Sequence, residues 1–141
     1  MRLRDPRLAE NRIAPPPGVV DDSGVLRTVL VVDDNPGFRA RARRWLEAEG
    51  FTVVAEACDG ASALDAVRAH RPAVVLLDVQ LPDVSGLDVA EQLAGTRGGP
   101  AVVLTSTRDA SDFGDRVARS GARGFVPKSE LSGDAVAALL A

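Results

Sequence analysis

Thr28-Val29-Leu30-Val31-Val32-Asp33-Asp34 and Ala73-Val74-Val75-Leu76-Leu77-Asp78 follow one pattern: a short valine-rich apolar run that stops abruptly on acid. Runs of this length and composition read as strands buried on both faces. In an open α/β sheet, chemistry collects outside the carboxyl ends of parallel strands. If both runs are central strands, Asp33, Asp34 and Asp78 converge at one sheet edge. Like charges held that close repel, so the cluster calls for a cation. A hard divalent ion with oxygen ligands suits it, and Mg²⁺ is the expected one.

The rest of the chain fits this frame. Its 141 residues are enough for one domain with one core. A formal net charge of −3 and a pI near 5.1 give no basis for nucleic-acid binding through this domain, which would need clustered Lys and Arg. The single cysteine, Cys58, excludes an internal disulfide and reads as a small inert hydrophobe. No apolar stretch approaches the ~20 residues of a membrane span. The start, Met1-Arg2-Leu3-Arg4-Asp5-Pro6, carries charge where a signal core would be apolar, so a cytoplasmic location is expected.

Residues 1–26 differ in character. Pro6 and Pro15-Pro16-Pro17-Gly18 oppose helix and central strand alike, and the segment reads as a disordered or loosely attached extension. It includes a decoy, Val19-Val20-Asp21-Asp22, whose apolar part is too short for a buried strand.

From residue 28 to 141, strand and helix alternate five times. Asn35 with Pro36 starts a first helix that runs to about Glu49. Phe51–Ala55 is a second strand, and Asp59 caps a helix that Pro72 ends. Ser85 caps a third helix after the loop 79–85, and Ala101–Leu104 makes the fourth strand. A helix opening at Asp109 or Ser111 runs to Ser120-Gly121. Gly124-Phe125-Val126 is the last strand, and a helix over about 132–140 closes the domain. Such βαβ units with right-handed crossovers predict a flavodoxin-like, doubly wound, five-stranded parallel sheet of order 2-1-3-4-5. That order sets strands 1 and 3 side by side and leaves strand 5 at an edge, where Pro127 is tolerated.

Two further residues then stand at strand ends, Thr105 after strand 4 and Lys128 after strand 5. Three carboxylates, a hydroxyl and an ammonium suit phosphoryl transfer to a carboxylate, with cations neutralising the equatorial oxygens. The pieces Val32-Asp33-Asp34-Asn35, Leu77-Asp78-Val79-Gln80-Leu81-Pro82-Asp83-Val84-Ser85-Gly86, Leu104-Thr105-Ser106 and Gly121-Ala122-Arg123-Gly124-Phe125-Val126-Pro127-Lys128 occur in that order. Together they resemble the receiver domain of bacterial two-component response regulators over residues 28–141. The resemblance implies Asp78 as phosphoacceptor, and Asp33, Asp34 and Asp78 with the Gln80 backbone carbonyl as Mg²⁺ ligands. It implies Thr105 and Lys128 as the groups that engage the phosphoryl, and Phe125 as the aromatic whose rotamer reports activation. It further implies a histidine kinase or a His-containing phosphotransfer protein as donor. The chain would then be a signalling phosphoacceptor that hydrolyses its own acyl phosphate slowly, not an enzyme with a separate substrate. A partner or homodimer surface is expected on helix 4, strand 5 and helix 5. Phe125, lacking a hydroxyl, is expected to sit partly inward even without phosphate.

Pro127-Lys128-Ser129 reverses the Lys-Pro order of many receivers and is similar to NarL/FixJ-type regulators, most of which add a C-terminal helix-turn-helix. The peptide geometry at Lys128-Ser129 is left open by this reversal. Two other readings stand beside the main one. The first is an interaction module on the same fold that works without phosphorylation. The second is an aspartyl phosphohydrolase, which would want an acid where Gln80 stands. His70 at a helix C-terminus reads as a favourably placed cation and not a phosphodonor. Arg39, Arg41, Arg43 and Arg44 read as a solvated face, with kinase docking as the sharper option. Gly95–Gly99 lacks the Lys-Ser/Thr ending of a phosphate-binding loop.

Overall fold

The computed structural model describes residues 27–141. The extension 1–26, its proline tract and the Asp21-Asp22 decoy lie outside the described residues. Five parallel strands, β1 (Thr28–Val32), β2 (Thr52–Ala57), β3 (Val74–Asp78), β4 (Ala101–Ser106) and β5 (Gly124–Pro127), form one sheet in the order β2-β1-β3-β4-β5. The expected fold and strand order are therefore observed. Helices α1 (Pro36–Ala48), α2 (Gly60–His70), α3 (Gly86–Ala94), α4 (Arg116–Arg119) and α5 (Gly133–Leu140) connect or follow the strands.

Each helix that starts cleanly does so for a local reason. The Asn35 side chain accepts from the Phe38 amide, and Pro36 fills the first turn of α1. Asp59 and Ser62 form a reciprocal capping box at α2. Ser85 and Ser132 cap α3 and α5 through their hydroxyls.

The core divides into two layers by strand alternation. Val29, Val31, Val74, Leu76 and Val103 face α1 and α5, meeting Phe38, Ala42, Leu46, Val136 and Leu140. Leu30, Val32, Val75, Leu77, Val102 and Leu104 face α2 and α3, meeting Ala63, Leu87, Ala90 and Leu93. One irregularity breaks the alternation. Val29 pairs with Val53 but Leu30 pairs with Ala55, so Val54 is an extra residue in β2. The bulge inverts which face the rest of β2 presents. Ala55 and Ala57 thereby join the α2/α3 layer, and Glu56 is turned toward α1. There it meets Arg39 at 3.0 Å and Arg43 at 2.9 Å. Two members of the arginine run are thus structural, while Arg41 and Arg44 remain exposed. Burial would raise the Glu56 pKa, but Arg43 and Arg39 outweigh it and hold the carboxyl below its ordinary value.

Two expectations need correction. The fourth helix does not run from residue 109 to 121. A 3-10 turn over Ala110–Phe113 is followed by Gly114 at φ 61°, and only Arg116–Arg119 is α-helical. Gly114 interrupts the expected helix between its opening at Asp109 or Ser111 and its end at Ser120-Gly121. Asp109 makes no side-chain cap bond, and neither short piece buries a residue to offset the break. Cys58 is exposed and is not a packed hydrophobe. No cis peptide occurs among the described residues, so Lys128-Ser129 is trans.

The close packing of α3 against the end of β3 sets a steric limit. A Cβ on Gly86 would lie 2.1 Å from the Asp78 carbonyl oxygen and 2.8 Å from Val79 Cα. Both are backbone and cannot step aside. Gly86→Ala should lower stability by about 3 kcal/mol. Gly95→Ala, where the nearest atom is 3.5 Å away, should cost nothing measurable. Urea denaturation of both variants checks this, and equal midpoints would show that α3 can shift freely.

Candidate phosphoacceptor site

The carboxyl ends of β1, β3, β4 and β5 bring the expected residues to one edge. Asp33 is fully buried, Asp78 is 4% exposed, and Asp34 is exposed. Carboxylate oxygens of the three lie within 4.8 Å of one another. Asp33 Oδ1 accepts from the Asn35 amide at 2.9 Å, and Asp78 Oδ1 accepts from the Gln80 amide at 3.1 Å. Both acids are therefore oriented by the loop that follows their own strand.

Lys128 reaches across from the end of β5. Its Nζ lies 2.5 Å from Asp33 Oδ2 and 3.3 Å from Asp78 Oδ2. Asp33 Oδ2 is buried and lacks a well-aligned hydrogen bond, so the ammonium charge alone meets it. Burial raises the Asp78 pKa to about 6, with Asp33 adding to the rise; the Gln80 amide and Lys128 act against it. Burial would lower the Lys128 pKa, but Asp33 and Asp78 together raise it above the ordinary lysine value.

The remaining expected residues are close by but differently engaged. Thr105 pairs with Asp78 in the sheet register and is fully buried. Its hydroxyl donates to the Val126 carbonyl at 2.7 Å, so its single proton is committed to β5. The Phe125 ring is half-buried and tilts against Phe113, centroids 6.1 Å apart. The Gln80 side chain is exposed, and Gln80 bridges to Ser85 across the loop.

Three contributors were not picked out from the sequence. The Phe38 ring lies under the Lys128 ammonium, 4.4 Å from Nζ to centroid. Arg39 Nη1 donates to the Asp33 carbonyl at 2.7 Å. Asp83 Oδ1 and Oδ2 accept from the Gly60 and Ala61 amides at 2.8 and 3.0 Å, tying the β3–α3 loop to the start of α2. For Phe38 and Arg39 the available signal was their place in the first turn after the acid pair. For Asp83 it was an acid in a loop beside a helix N-terminus.

The sequence profile of the response regulator receiver domain matches residues 29–140. This chain is a response regulator receiver domain. It is 33% identical over 118 residues to the transcriptional regulatory protein PdtaR of Mycobacterium tuberculosis, covering 84% of this chain and 57% of that protein. It is 31% identical over 110 residues to the DNA-binding transcriptional activator EvgA of Escherichia coli, covering 78% and 54%. A solved receiver domain assigned to the response regulator NarL of Mycobacterium tuberculosis superposes with a TM-score of 0.73 at 35% identity, over 79% of this chain and 94% of that one. The receiver domain spans about half the length of the curated relatives it matches. No helix among the described residues is long and apolar enough to cross a membrane.

The raised Asp78 pKa gives a signed pH dependence. An acid that holds its proton more tightly when folded favours the fold fully below its unfolded value, near 3.9. That contribution is lost as pH rises through about 6. Asp78→Asn, with Lys128 still paired to Asp33, should escape the loss. In metal-free buffer its Tm should draw ahead of the parent's between pH 4 and 7, by on the order of 2 kcal/mol of stability. Parallel Tm curves would mean that Asp78 is not strained as a carboxylate.

Proposed function

We propose that this receiver domain accepts a phosphoryl group on Asp78 from a histidine kinase or a His-containing phosphotransfer protein, in the cytoplasm. The observation that carries the reading is the Asp78 carboxylate at the end of β3, with the Lys128 ammonium 3.3 Å away and Asp33 beside it. An ionised Asp78 oxygen attacks phosphorus, the P–N bond to the donor imidazole breaks, and the imidazole leaves with the electron pair and takes a proton. Lys128 meets charge on the phosphoryl oxygens, and its raised pKa keeps it cationic through neutral pH. The Thr105 hydroxyl must leave the Val126 carbonyl to donate to the phosphoryl group, so phosphorylation exchanges one buried hydrogen bond for another. Water later hydrolyses the acyl phosphate slowly. No separate substrate is turned over.

The donor set fits Mg²⁺. It is all oxygen, it brings three carboxylates within 4.8 Å, and it includes one buried oxygen without an aligned hydrogen bond. Asp33, Asp34 and Asp78 would hold the ion, with the Gln80 backbone carbonyl as the further ligand implied by resemblance. When bound, it supplies positive charge for the carboxylates and the phosphoryl oxygens. Departure of Thr105 from Val126 disturbs β5 directly. We assign the partner or dimer surface to α4, β5 and α5, with Phe125 as the side chain that follows Thr105.

Intact-mass spectrometry after incubation with acetyl phosphate and Mg²⁺ should add one phosphoryl to the parent and none to Asp78→Asn. Equal uptake by both proteins would place the acceptor elsewhere. No uptake by the parent would favour an interaction module that works without phosphorylation. Mg²⁺ at ten times its dissociation constant should add about 1.4 kcal/mol of stability. The double substitution Asp33→Asn with Asp34→Asn should erase that gain, and its persistence in thermal melts would move the ion to another site.

A further inference from the structure

We infer that Phe38 is a positioning residue for Lys128, holding its ammonium beside Asp78 through the face of the aromatic ring. The inference rests on the reading of Asp78 as phosphoacceptor and Lys128 as its cationic partner.

The geometry separates this contact from ordinary packing. Phe38 is 7% exposed and belongs to the layer between the sheet and α1, which core burial alone would explain. What core burial does not explain is the position of Nζ. The charged head of Lys128 stands 4.4 Å from the ring centroid, within the range in which a cation is drawn to the π face. The side chain of Lys128 is only 19% exposed, so water screens the contact little.

The ring is also held in register with the acids. Asp33 Oδ1 accepts from the Asn35 amide, and Asn35 in turn caps the helix by accepting from the Phe38 amide. One turn of chain thus fixes Asp33 and Phe38 relative to each other, and Lys128 touches both.

The chemistry asks for such a support. Lys128 is held by Asp33 Oδ2 at 2.5 Å, closer than by Asp78. To meet a phosphoryl group it must shift from Asp33 toward the acceptor. A carboxylate that held it in place would compete with the phosphoryl oxygens for the same protons. An aromatic face attracts the charge without offering a lone-pair acceptor, so the three N–H donors stay available for oxygen. Arg41 also approaches the ring, at 5.9 Å, but it is exposed and further away.

Fluorination tests this in the full chain, because each fluorine weakens the ring's negative face with little change of shape. Phe38 would be replaced site-specifically by 4-fluoro-, 3,5-difluoro- and 3,4,5-trifluorophenylalanine. The rate of Asp78 phosphorylation by acetyl phosphate, at saturating Mg²⁺, would be compared across the series. The expected result is a stepwise fall, on the order of threefold or more at the trifluoro stage. Arg41→Gln should leave the rate unchanged. A flat rate across the series, in a protein where Lys128→Met still slows phosphorylation, overturns the role of Phe38 and spares that of Lys128. A parent rate unaffected by Lys128→Met removes the reading on which the inference rests and overturns both. A stepwise fall that persists in Lys128→Met would show that the ring acts without the ammonium, which also overturns it.

Discussion

The Lys128 ammonium reaches Asp33 and Asp78 from the far side of β4, and this crossing governs the upper edge of the sheet. Two carboxylates lie there almost without solvent, in a region where an unpaired charge is costly. Their strands are adjacent, so the repulsion cannot relax by moving them apart without breaking β1–β3 pairing. A cation must come from elsewhere, and β5 delivers it through the Pro127-Lys128 turn. The loops then trim the balance: an amide from Asn35 on Asp33, an amide from Gln80 on Asp78, and a helix cap that places an aromatic face under the lysine. Asp78 is left with its pKa raised to about 6, so its carboxylate form is held less firmly than that of a solvated aspartate. A group in that condition responds to small changes in nearby charge.

Much of this was legible in the chain because charge and hydrophobicity change abruptly at strand ends. Asp33, Asp34 and Asp78 each follow a run too apolar to be anything but interior, so topology alone brings them together. Lys128 and Thr105 were legible for the same reason, once strands 4 and 5 were placed. What could not be read was the direction of the side chains. The Thr105 hydroxyl satisfies the Val126 carbonyl instead of facing Asp78, because a buried donor takes the nearest acceptor. The pairing of Arg39 and Arg43 with Glu56 was hidden for a different reason. Alternation along Val53-Val54-Ala55-Glu56-Ala57 places Glu56 opposite Val53, and only the extra residue Val54 reverses it. A bulge leaves no mark in a run of small apolar residues.

Several long-range ties converge on the loops that carry the acids. Arg39 joins the Asp33 carbonyl to Glu56 on β2, and Asp83 joins the loop after β3 to the first amides of α2. Asp83 is fully exposed, and the Gly60 amide bond leads the effects that hold its carboxyl below the ordinary range. Each tie is modest as an energy. Their effect is geometric, since they fix backbone on either side of Asp78 without touching its side chain.

The segment between β4 and β5 has the opposite character. A 3-10 turn, a glycine at positive φ and a single α-helical turn occupy a stretch in which neither helical piece buries a residue. Phe113 and Val117 pack on the α2/α3 layer but are only partly buried, so amides here would exchange with solvent through local opening below the global unfolding energy. That makes the region cheap to reorganise. An event worth only one or two kcal/mol at Thr105 can change its population of conformers several-fold, where a full-length, well-packed helix would absorb the same energy unmoved. The domain thus pairs a buried acid cluster with an adjoining segment whose helical pieces bury no residue, so rearranging the second costs little beside disturbing the first.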